Sequence, residues 1–294
     1  MELKHYMNQL RQQIDDALVE LLPDKNQRPT KLHEAMHYSI FAGGKRIRPI
    51  LMMATCAAVG GEISQVIPTA CAMEMIHTYS LIHDDLPAMD DDDFRRGAPT
   101  NHKVYGEATA ILAGDALLTQ AFITLAANDM SIDNAIQRRV AHIIASAAGA
   151  AGMVGGQVVD MEAEGQHPDL ETVNYIHRHK TGALILASIQ CGAILGGADK
   201  ATFAALTTFG ESAGLAFQIA DDILDIVGDQ KQLGKDVGSD QQRGKATYPS
   251  VLGLDESKQR MALIHQNALN ILAPYGINAE PLRQISEYII NRSS

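Results

Sequence analysis

The sequence predicts an all-α protein, a single large helical bundle, and three observations support this. Apolar residues recur with helical spacing along most of the 294 residues, and strand signals are almost absent. Ala and Leu are prominent, aromatic residues make up only 5% and Trp is missing, which favours closely packed helices over a β-sandwich. No linker, low-complexity tract or repeat divides the chain, so we expect one domain over 1–294.

The individual helices follow from apolar periodicity and from the Gly- and Pro-rich breakers between them. The segments 63–84 and 199–227 are apolar round most of their circumference, as expected of central helices in a bundle. The stretch 228–249 is polar and glycine-rich and is predicted to be a mobile flap. The predicted helices span 2–22, 30–41, 47–59, 63–84, 107–128, 131–151, 170–195, 199–227, 256–273 and 279–291.

Composition excludes several classes of function. A formal net charge of -11 and a pI near 5.4 argue against a nucleic-acid surface, which needs a basic face. The three cysteines occur singly, which predicts reduced thiols rather than a disulfide framework. The N-terminus lacks the pattern of a signal peptide, and the apolar run 182–195 is too short to span a bilayer. We therefore expect a cytoplasmic protein without a stable membrane anchor.

Two aspartate clusters, each at the end of an apolar helical stretch, are the most informative feature. The first contains Asp84, Asp85 and Asp90, and the second contains Asp221 and Asp225. Asp221 and Asp225 are spaced i and i+4, so their carboxylates lie on one helix face and repel each other. A divalent cation would turn this cost into a gain, and carboxylate oxygens suit Mg²⁺. The alternative for the first cluster is a solvated acidic loop after a helix that Pro87 stops.

Basic residues near the first cluster favour a site for metal and phosphate together. Arg95-Arg96 follow the acidic run directly, and Lys45 and Arg48 lie upstream in a glycine-containing segment. The run 90–93 lacks the alternating oxygens of a calcium-binding EF-hand, and Ser39 stands where a phosphate-binding P-loop needs its first Gly. If the two central helices pack as neighbours, the acidic clusters face each other across the mouth of a deep central cavity. Metals there would clamp a diphosphate, and the apolar cavity would take a hydrocarbon chain.

The ordered motifs resemble the trans-isoprenyl diphosphate synthases, and the chain looks most like the bacterial farnesyl diphosphate synthases. The resemblance covers nearly the whole length and implies the all-α isoprenoid synthase fold. It implies that isopentenyl diphosphate condenses with dimethylallyl and geranyl diphosphate to give farnesyl diphosphate. Three Mg²⁺ ions per site and a homodimer are also implied, and the apolar helix 107–128 is a plausible interface. The motifs span 43–49, 74–85, 95–97, 114–115, 156–157, 180–181, 217–225 and 234–236.

The same resemblance implies a role for each matching residue. The metal ligands would be Asp84, Asp90 and Asp221, with Asp85 and Asp225 completing or ordering the coordination shells. The diphosphate of isopentenyl diphosphate would be bound by Gly44, Lys45, Arg48, His77 and Arg96. The allylic diphosphate would be bound by Arg95 and Lys235. The residues near C1 of the allylic chain, which stabilise positive charge there, would be Lys180, Thr181 and Gln218. The residues that set chain length, about one turn below the metals, would be Tyr79 and Ser80.

Several alternatives stay open. His77 on its apolar helix is also compatible with an ordinary core histidine. Four residues separate Asp85 from Asp90 where many family members have two, and the C-terminus lacks a basic tail, which puts closure by a tail in doubt. The rival functions are a geranylgeranyl diphosphate synthase, a terpene cyclase and a non-catalytic subunit that regulates a partner synthase. Lys45, Arg48 and Arg96 argue against the cyclase, which needs no second diphosphate site.

Overall fold

The computed structural model describes residues 2–127, 132–166, 168–227 and 245–291. It confirms the all-α prediction, because helices dominate these residues and one pair of two-residue strands accompanies them. Most of the predicted flap, including Lys235, lies outside the described residues.

The predicted helices agree in position with observed ones over most of the described residues, but the structure contains more and shorter helices than the ten predicted. The first seven are α1 (Leu3–Leu21), α2 (Thr30–Phe41), α3 (Ile47–Ala58), α4 (Ile67–Asp84), α5 (Asn101–Tyr105), α6 (Glu107–Leu125) and α7 (Asn134–Ala148). The next are α8 (Met153–Ala163), α9 (Leu170–Ile176), a π-helix (His177–Gly182), α10 (Ala183–Leu195) and α11 (Lys200–Val227). The last are α12 (Tyr248–Leu252), α13 (Leu254–Leu272) and α14 (Glu280–Asn291). Short 3-10 helices occupy Ile63–Gln65 and Ala273–Ala279, and the strands are β1 (Phe94–Arg95) and β2 (Ala98–Pro99).

The chain forms two compact units, and the prediction of a single domain over 1–294 stays a prediction. Unit 1 comprises 1–53 and 64–141, and unit 2 comprises 54–63 and 142–294. In unit 1, α4 packs along α6 and also contacts α1 and α2. Its buried residues lie on all sides, with Met73, Met75 and Ile76 fully enclosed. An apolar circumference of this kind is what places α4 at the centre of its unit.

Unit 2 is built on α11, which packs against α13, α10 and the π-helix. Two glycines permit close backbone approach beside the π-helix. A Cβ added at Gly156 on α8 would lie 2.2 Å from the backbone nitrogen of Lys180, and one at Gly214 on α11 would lie 3.2 Å from Cα of Gly182. Glycine at these positions therefore lets α8 and α11 pack directly on the π-helix backbone.

Three features of unit 2 differ from the sequence prediction. The helix α8 was not predicted, because its glycines, Gly155 and Gly156, are typical of breakers. The predicted flap ends too late, since α12 begins at Tyr248 and its N-cap Thr247 accepts from the backbone of Ser250. The predicted helix 170–195 contains a π-helix, which apolar periodicity alone does not reveal.

Two helical stretches are long and apolar enough to cross a membrane by length and composition. They are Glu107–Leu125 and Asn134–Ala163, and the expectation that the protein has no stable membrane anchor stays a prediction. Part of each stretch is buried within the protein. The core helix of a soluble protein meets the same criteria, so this observation assigns no membrane segment.

Candidate active site

The first acidic cluster begins where α4 ends. Met89 donates its backbone N–H to Leu86, and Asp90 donates its backbone N–H to the carbonyl of Asp84 at 2.9 Å. The residues between Asp85 and Asp90, including Pro87, therefore form a compact return. This return brings the backbone of Asp90 against that of Asp84, and both residues are half-buried. Two carboxylates six positions apart thus start from neighbouring backbone positions, as shared binding of a cation requires.

Asp85 is turned inward and paired with Arg95 on β1. Asp85 is only 3% exposed, and Arg95 donates from Nε at 2.6 Å and approaches from Nη2 at 2.5 Å, both to Oδ1. Burial raises the pKa of Asp85 above its usual range even though Arg95 favours its charged form. Burial opposes the charge of Arg95 as well, but its hydrogen bond to Asp85 and the negative charges of Asp85, Asp84 and Asp92 together raise the pKa of Arg95. Arg95, which is predicted to bind the allylic diphosphate, therefore pairs with a carboxylate of its own unit.

The hairpin between β1 and β2 aims Arg96 at the glycine-containing segment. Arg96 and Gly97 have φ of 56° and 79°, and positive φ at both positions is typical of the mirror-image turns that join antiparallel strands. A non-glycine residue there is strained. Arg96 Nη1 donates to the carbonyl of Gly43. A Cβ added at Gly44 would lie 2.7 Å from Arg96 Nη1, so Gly44 leaves the space that this guanidinium occupies.

Arg46 holds the same segment to the interior of unit 1. It is 4% exposed and contacts Glu74 at 2.7 Å and Asp15 at 2.9 Å. Its Nη2 also donates to the carbonyl of Ile40 at 2.6 Å. Removal of one partner from such a buried ionic group is expected to be strongly destabilising. Arg46 is therefore a positioning residue, which leaves its neighbour Lys45 exposed to solvent.

Arg48 and His77 form a basic pair on α3 and α4. Arg48 Nη1 lies 3.2 Å from His77 Nε2, and because a guanidinium only donates, Nε2 accepts and Nδ1 carries the ring proton. Burial lowers the pKa of His77 well below its usual range, and the nearby guanidiniums of Arg48 and Arg96 lower it further. His77 is thus a neutral ring that orients Arg48. It has both a structural role and a position suited to phosphate binding.

The proposed chain-length residues lie on α4 below Asp84. Tyr79 is 7% exposed, and its ring packs edge-on against His83 at 5.8 Å. His83 Nε2 donates to the carbonyl of Ile111 at 3.0 Å, in the space that Gly114 leaves. His83 therefore fixes α4 against α6. Ser80, which is half-buried, donates back to the carbonyl of His77 at 2.8 Å.

In the second cluster, Asp222 is the inward member. It is 3% exposed and accepts from His177 Nε2 at 2.7 Å, from the backbone N–H of Tyr248 at 2.9 Å and from Gln218 Nε2 at 3.2 Å. Its neighbour Asp221 is half-buried. Asp225 is also buried, at 3% exposure. The amide of Gln218, expected near the allylic chain, here braces Asp222.

Lys180 lies in the π-helix and is held by Asp160 of α8. The distance from Nζ to Oδ2 is 2.6 Å, and Asp160 is 7% exposed. The π-helix adds a residue to the turn and places Lys180 and Thr181 beside the close contact with Gly156. Single π-turns are frequent at functional sites. Lys180 is thus a fixed cation on a rigid wall of unit 2.

The carboxylates fit a hard divalent cation by donor chemistry. Asp84, Asp90 and Asp221 offer oxygen donors on half-buried residues, which suits Mg²⁺. Within the part of the chain that the structure describes, no three His, Cys, Asp or Glu side chains already converge as a ligand set. The assignment of each carboxylate to a metal stays a prediction.

Comparisons with known proteins decide the family. A family model for polyprenyl synthetase matches residues 29–271. The farnesyl diphosphate synthase of Geobacillus stearothermophilus is 47% identical over 293 residues, covering 99% of this chain and 98% of that protein. The chain belongs to the polyprenyl synthetase family. This polyprenyl synthetase is also 44% identical to the geranylgeranyl diphosphate synthase of Cyanophora paradoxa, over 98% of this chain and 96% of that protein. The crystal structure of an FPP/GFPP synthase from Zymomonas mobilis has a TM-score of 0.88 and 39% identity, with 98% of both chains covered.

Sequence reasoning missed the residues that brace the site of this polyprenyl synthetase. Glu74 on α4 and Asp160 on α8 are acidic residues within apolar helical segments. A carboxylate there is rarely buried without a partner, and this was the available signal. The partners Arg46 and Lys180 lie 28 and 20 residues away in the chain, a separation that no local pattern encodes.

Proposed function

We propose that this polyprenyl synthetase is a Mg²⁺-dependent short-chain trans-prenyltransferase that makes farnesyl diphosphate. It condenses isopentenyl diphosphate with dimethylallyl and then geranyl diphosphate. The observation that carries the proposal is the arrangement in unit 1, where the Asp84–Asp90 return adjoins a hairpin bearing Arg95 and Arg96. Acidic groups for a metal and basic groups for phosphate occur on one small surface. Identity of 47% to the farnesyl diphosphate synthase named above supports the choice of product.

Each group in the chain has a role that its chemistry permits. Asp84, Asp90 and Asp221, with Asp85 and Asp225, would hold Mg²⁺. The ions, when bound, neutralise the allylic diphosphate and make it a better leaving group. Arg95 and Lys235 bind that diphosphate, and their positive charges stabilise its negative charge as it leaves.

The second substrate is bound by the basic groups of unit 1. Arg48, oriented by His77, and Arg96, positioned through Gly43 and Gly44, offer guanidinium N–H groups to the diphosphate of isopentenyl diphosphate. Lys45, which is exposed beside them, adds a positive charge.

The allylic cation that remains after ionisation needs dipoles that do not attack it. Thr181 and Gln218 supply a hydroxyl and an amide oxygen, while Lys180 is held by Asp160. The isopentenyl double bond adds to C1 of the cation, and the proton lost afterwards goes to the departed diphosphate. No protein nucleophile takes part in this sequence.

The direct test is an incubation with radiolabelled isopentenyl diphosphate, each allylic primer and Mg²⁺, followed by chromatography of the dephosphorylated products. We expect a fifteen-carbon product and no condensation in the presence of EDTA. A twenty-carbon main product would favour a geranylgeranyl diphosphate synthase. Absence of any condensation with folded protein would contradict the enzyme proposal and favour a regulatory subunit.

Chain length provides a sharper test through Tyr79. Tyr79→Ala should open the floor below Asp84 and give products of twenty carbons or more, because each additional buried CH₂ contributes about 0.8 kcal/mol. If Tyr79 is only a core residue, its removal leaves a void costing about 3 to 5 kcal/mol without any change in product. The side chain of Ser80 is too small to stop the chain by itself, so Ser80→Ala is the comparison variant and should leave the product unchanged. A fifteen-carbon product from folded, active Tyr79→Ala would rule out the floor.

We also propose a cytoplasmic homodimer that forms through α6. Three large apolar side chains of this helix, Ile111, Leu112 and Ile123, are 44–57% exposed, and a helix face of this kind is usually covered by a partner. Sedimentation analysis of the wild type and of Leu112→Glu tests the interface. A monomeric wild type, or a dimer that Leu112→Glu leaves intact, would contradict it.

A further inference from the structure

Unit 2 contains a half-open cavity of about 820 Å³ that the proposed reaction does not use. Its wall is formed by α7, the π-helix, α10, α11 and α13. Asp221, Asp225, Lys180 and Gln218 do not line it. The residues of the π-helix divide between the two regions, because Lys180 turns to Asp160 while Arg178 and His179 line the cavity. The cavity is therefore separate from the catalytic groups proposed above.

The two ends of the cavity differ in charge. Burial raises the pKa of Tyr248, and the positive charges of Arg260 and Arg178 partly oppose this rise. Both guanidiniums therefore lie near the Tyr248 hydroxyl. The only carboxylate that lines the cavity within the described residues is Glu211. It lies eleven residues before Asp222 on α11, and Asp222 binds the backbone of Tyr248. Eleven residues correspond to about 16 Å of helix, so positive charge is concentrated at the Tyr248 end.

The positive end has donor capacity to spare. Arg178 is exposed, and within the described residues no carboxylate pairs with it. Among the described residues, the carboxylate that pairs with Arg260 is the exposed Glu256, at 3.2 Å. The hydroxyl of Tyr248 already donates its hydrogen bond to Asn174 Oδ1, at 2.5 Å. In a protein of net charge -11, two guanidiniums at one end of a cavity attract an anion rather than another cation.

Part of the cavity lining is apolar. Ile143, Leu186, Leu215 and Ile264 come from four different helices and face the same space. A volume of about 820 Å³ falls in the range of small-molecule sites, which combine apolar walls with a few placed polar groups. A free phosphate would leave this apolar surface wet, and a hydrocarbon without a head group would leave the guanidiniums unused.

We propose that this cavity binds one amphipathic anion, a phosphate monoester whose head lies on Arg178 and Arg260 and whose hydrocarbon tail lies along Leu186 and Ile264. A soluble alkyl or prenyl phosphate and the phosphate head of a membrane lipid share this chemistry. The cavity is partly enclosed and formed within one unit, which favours the soluble molecule. The proposal is argued from the cavity alone and does not rest on the proposed function. The proposed catalytic site would accept the same ligand chemistry, so the Arg178→Ala variant is what tells the two sites apart.

The test measures binding of decyl phosphate by calorimetry. The buffer contains EDTA and no isopentenyl diphosphate. We expect one equivalent to bind the wild type, with at least tenfold weaker binding to Arg178→Ala, since a charge-assisted hydrogen bond is lost. Leu186→Glu should weaken binding to a similar extent by placing a charge beside the tail. Arg138→Ala, an exposed arginine of α7 that does not line the cavity, is the matched control and should bind like the wild type.

Three further probes separate the possible outcomes. Inorganic phosphate lacks the tail and decanol lacks the head, so each should bind at least tenfold more weakly than decyl phosphate. Vesicles that contain phosphatidic acid should not retain the protein. Equal binding by Arg178→Ala and Arg138→Ala, no binding to the wild type, or retention on vesicles without binding of decyl phosphate would each overturn the proposal. Hydrogen exchange of the wild type gives a check without mutation, because the ligand should protect 178–190 and 260–264.

Discussion

The adjacent aspartate pairs of the two acidic clusters are buried in the same way, but the inward member of each pair is held by different means. In each adjacent pair the first residue, Asp84 or Asp221, is half-buried, and the second, Asp85 or Asp222, is 3% exposed. Asp85 is held by a guanidinium, and Asp222 by an imidazole, a side-chain amide and a backbone N–H. The comparison teaches that one carboxylate of each adjacent pair is held by partners within its own unit, whereas its neighbour is more accessible, as a proposed metal ligand should be.

Each unit also keeps a cation close to an acidic group. Arg95 lies on Asp85, and Lys180 lies on Asp160, at 2.5 and 2.6 Å. The side chain of Arg95 is 30% exposed and that of Lys180 is 22% exposed, so both cations keep access to solvent. Their carboxylate partners are more enclosed, with side-chain exposures of 4% for Asp85 and 9% for Asp160.

The largest effect should come from the two half-buried carboxylates. Asp84→Ala and Asp221→Ala should each lower condensation by at least about 10²-fold, the scale expected when one group that stabilises charge is removed. The melting temperature should hardly change, because neither side chain is in the core. Asp93→Ala, an exposed aspartate near the first cluster, is the control. Normal turnover by either variant at saturating Mg²⁺ would refute its role as a principal ligand.

Substitution of the inward aspartates, Asp222 and Asp85, should lower the stability of the protein by different amounts. Asp222→Ala leaves three donors without their acceptor in a buried place and should cost about 3 kcal/mol. Asp85→Ala frees Arg95, which can reach water, and should cost about 1 kcal/mol. Urea unfolding at pH 7 measures both. Equal losses would show that the two clusters are braced alike, contrary to the comparison.

The arginine side of unit 1 can be tested through its glycines. Arg96→Ala should raise the KM for isopentenyl diphosphate more than that for the allylic substrate, because a phosphate contact is lost. Gly44→Ala should act in the same direction by displacing Arg96. Gly43→Ala is the matched control, since it has a similarly positive φ but no atom within 4 Å of the added Cβ. Lys235→Ala should instead raise the KM for the allylic substrate. If Arg96→Ala and Lys235→Ala both weakened binding of the same substrate, the proposal of two separate diphosphate sites would be contradicted.

The smallest effect concerns pH and distinguishes the buried His77 from an exposed histidine outside the site. The folded pKa of His77 is lowered, so the unfolded state binds more protons at pH values between that folded pKa and the usual 6.5. Stability from His77 is therefore present above 6.5 and falls as pH drops below it. His77→Gln should flatten this slope in chemical denaturation curves, and exposed His5→Gln should not. An unchanged slope in His77→Gln would show that burial of His77 does not control it.

The sequence predicted those features that local periodicity encodes. Apolar spacing predicted α1 to α4 to within a few residues, and the acid and base motifs predicted which side chains to inspect. Periodicity does not say which of two adjacent aspartates turns inward, because Asp221 and Asp222 differ only by their angle about α11. That choice depends on His177 and Tyr248, which approach from distant parts of the chain. The helix α8 was missed for a related reason, since its glycines serve tertiary packing that overrides their low helix propensity.

The π-helix His177–Gly182 has a consequence for the length of the chain itself. A π-turn holds one residue more than an α-turn, so the extra residue is accommodated within the wide turn while α9 and α10 continue on either side of it. Removal of a single residue there would restore a regular turn between α9 and α10 and would shift the residues of the π-helix itself. Lys180 would then leave its present position against Asp160. Insertions and deletions are usually absorbed by surface loops, whereas in this segment the number of residues sets where a charged side chain lies.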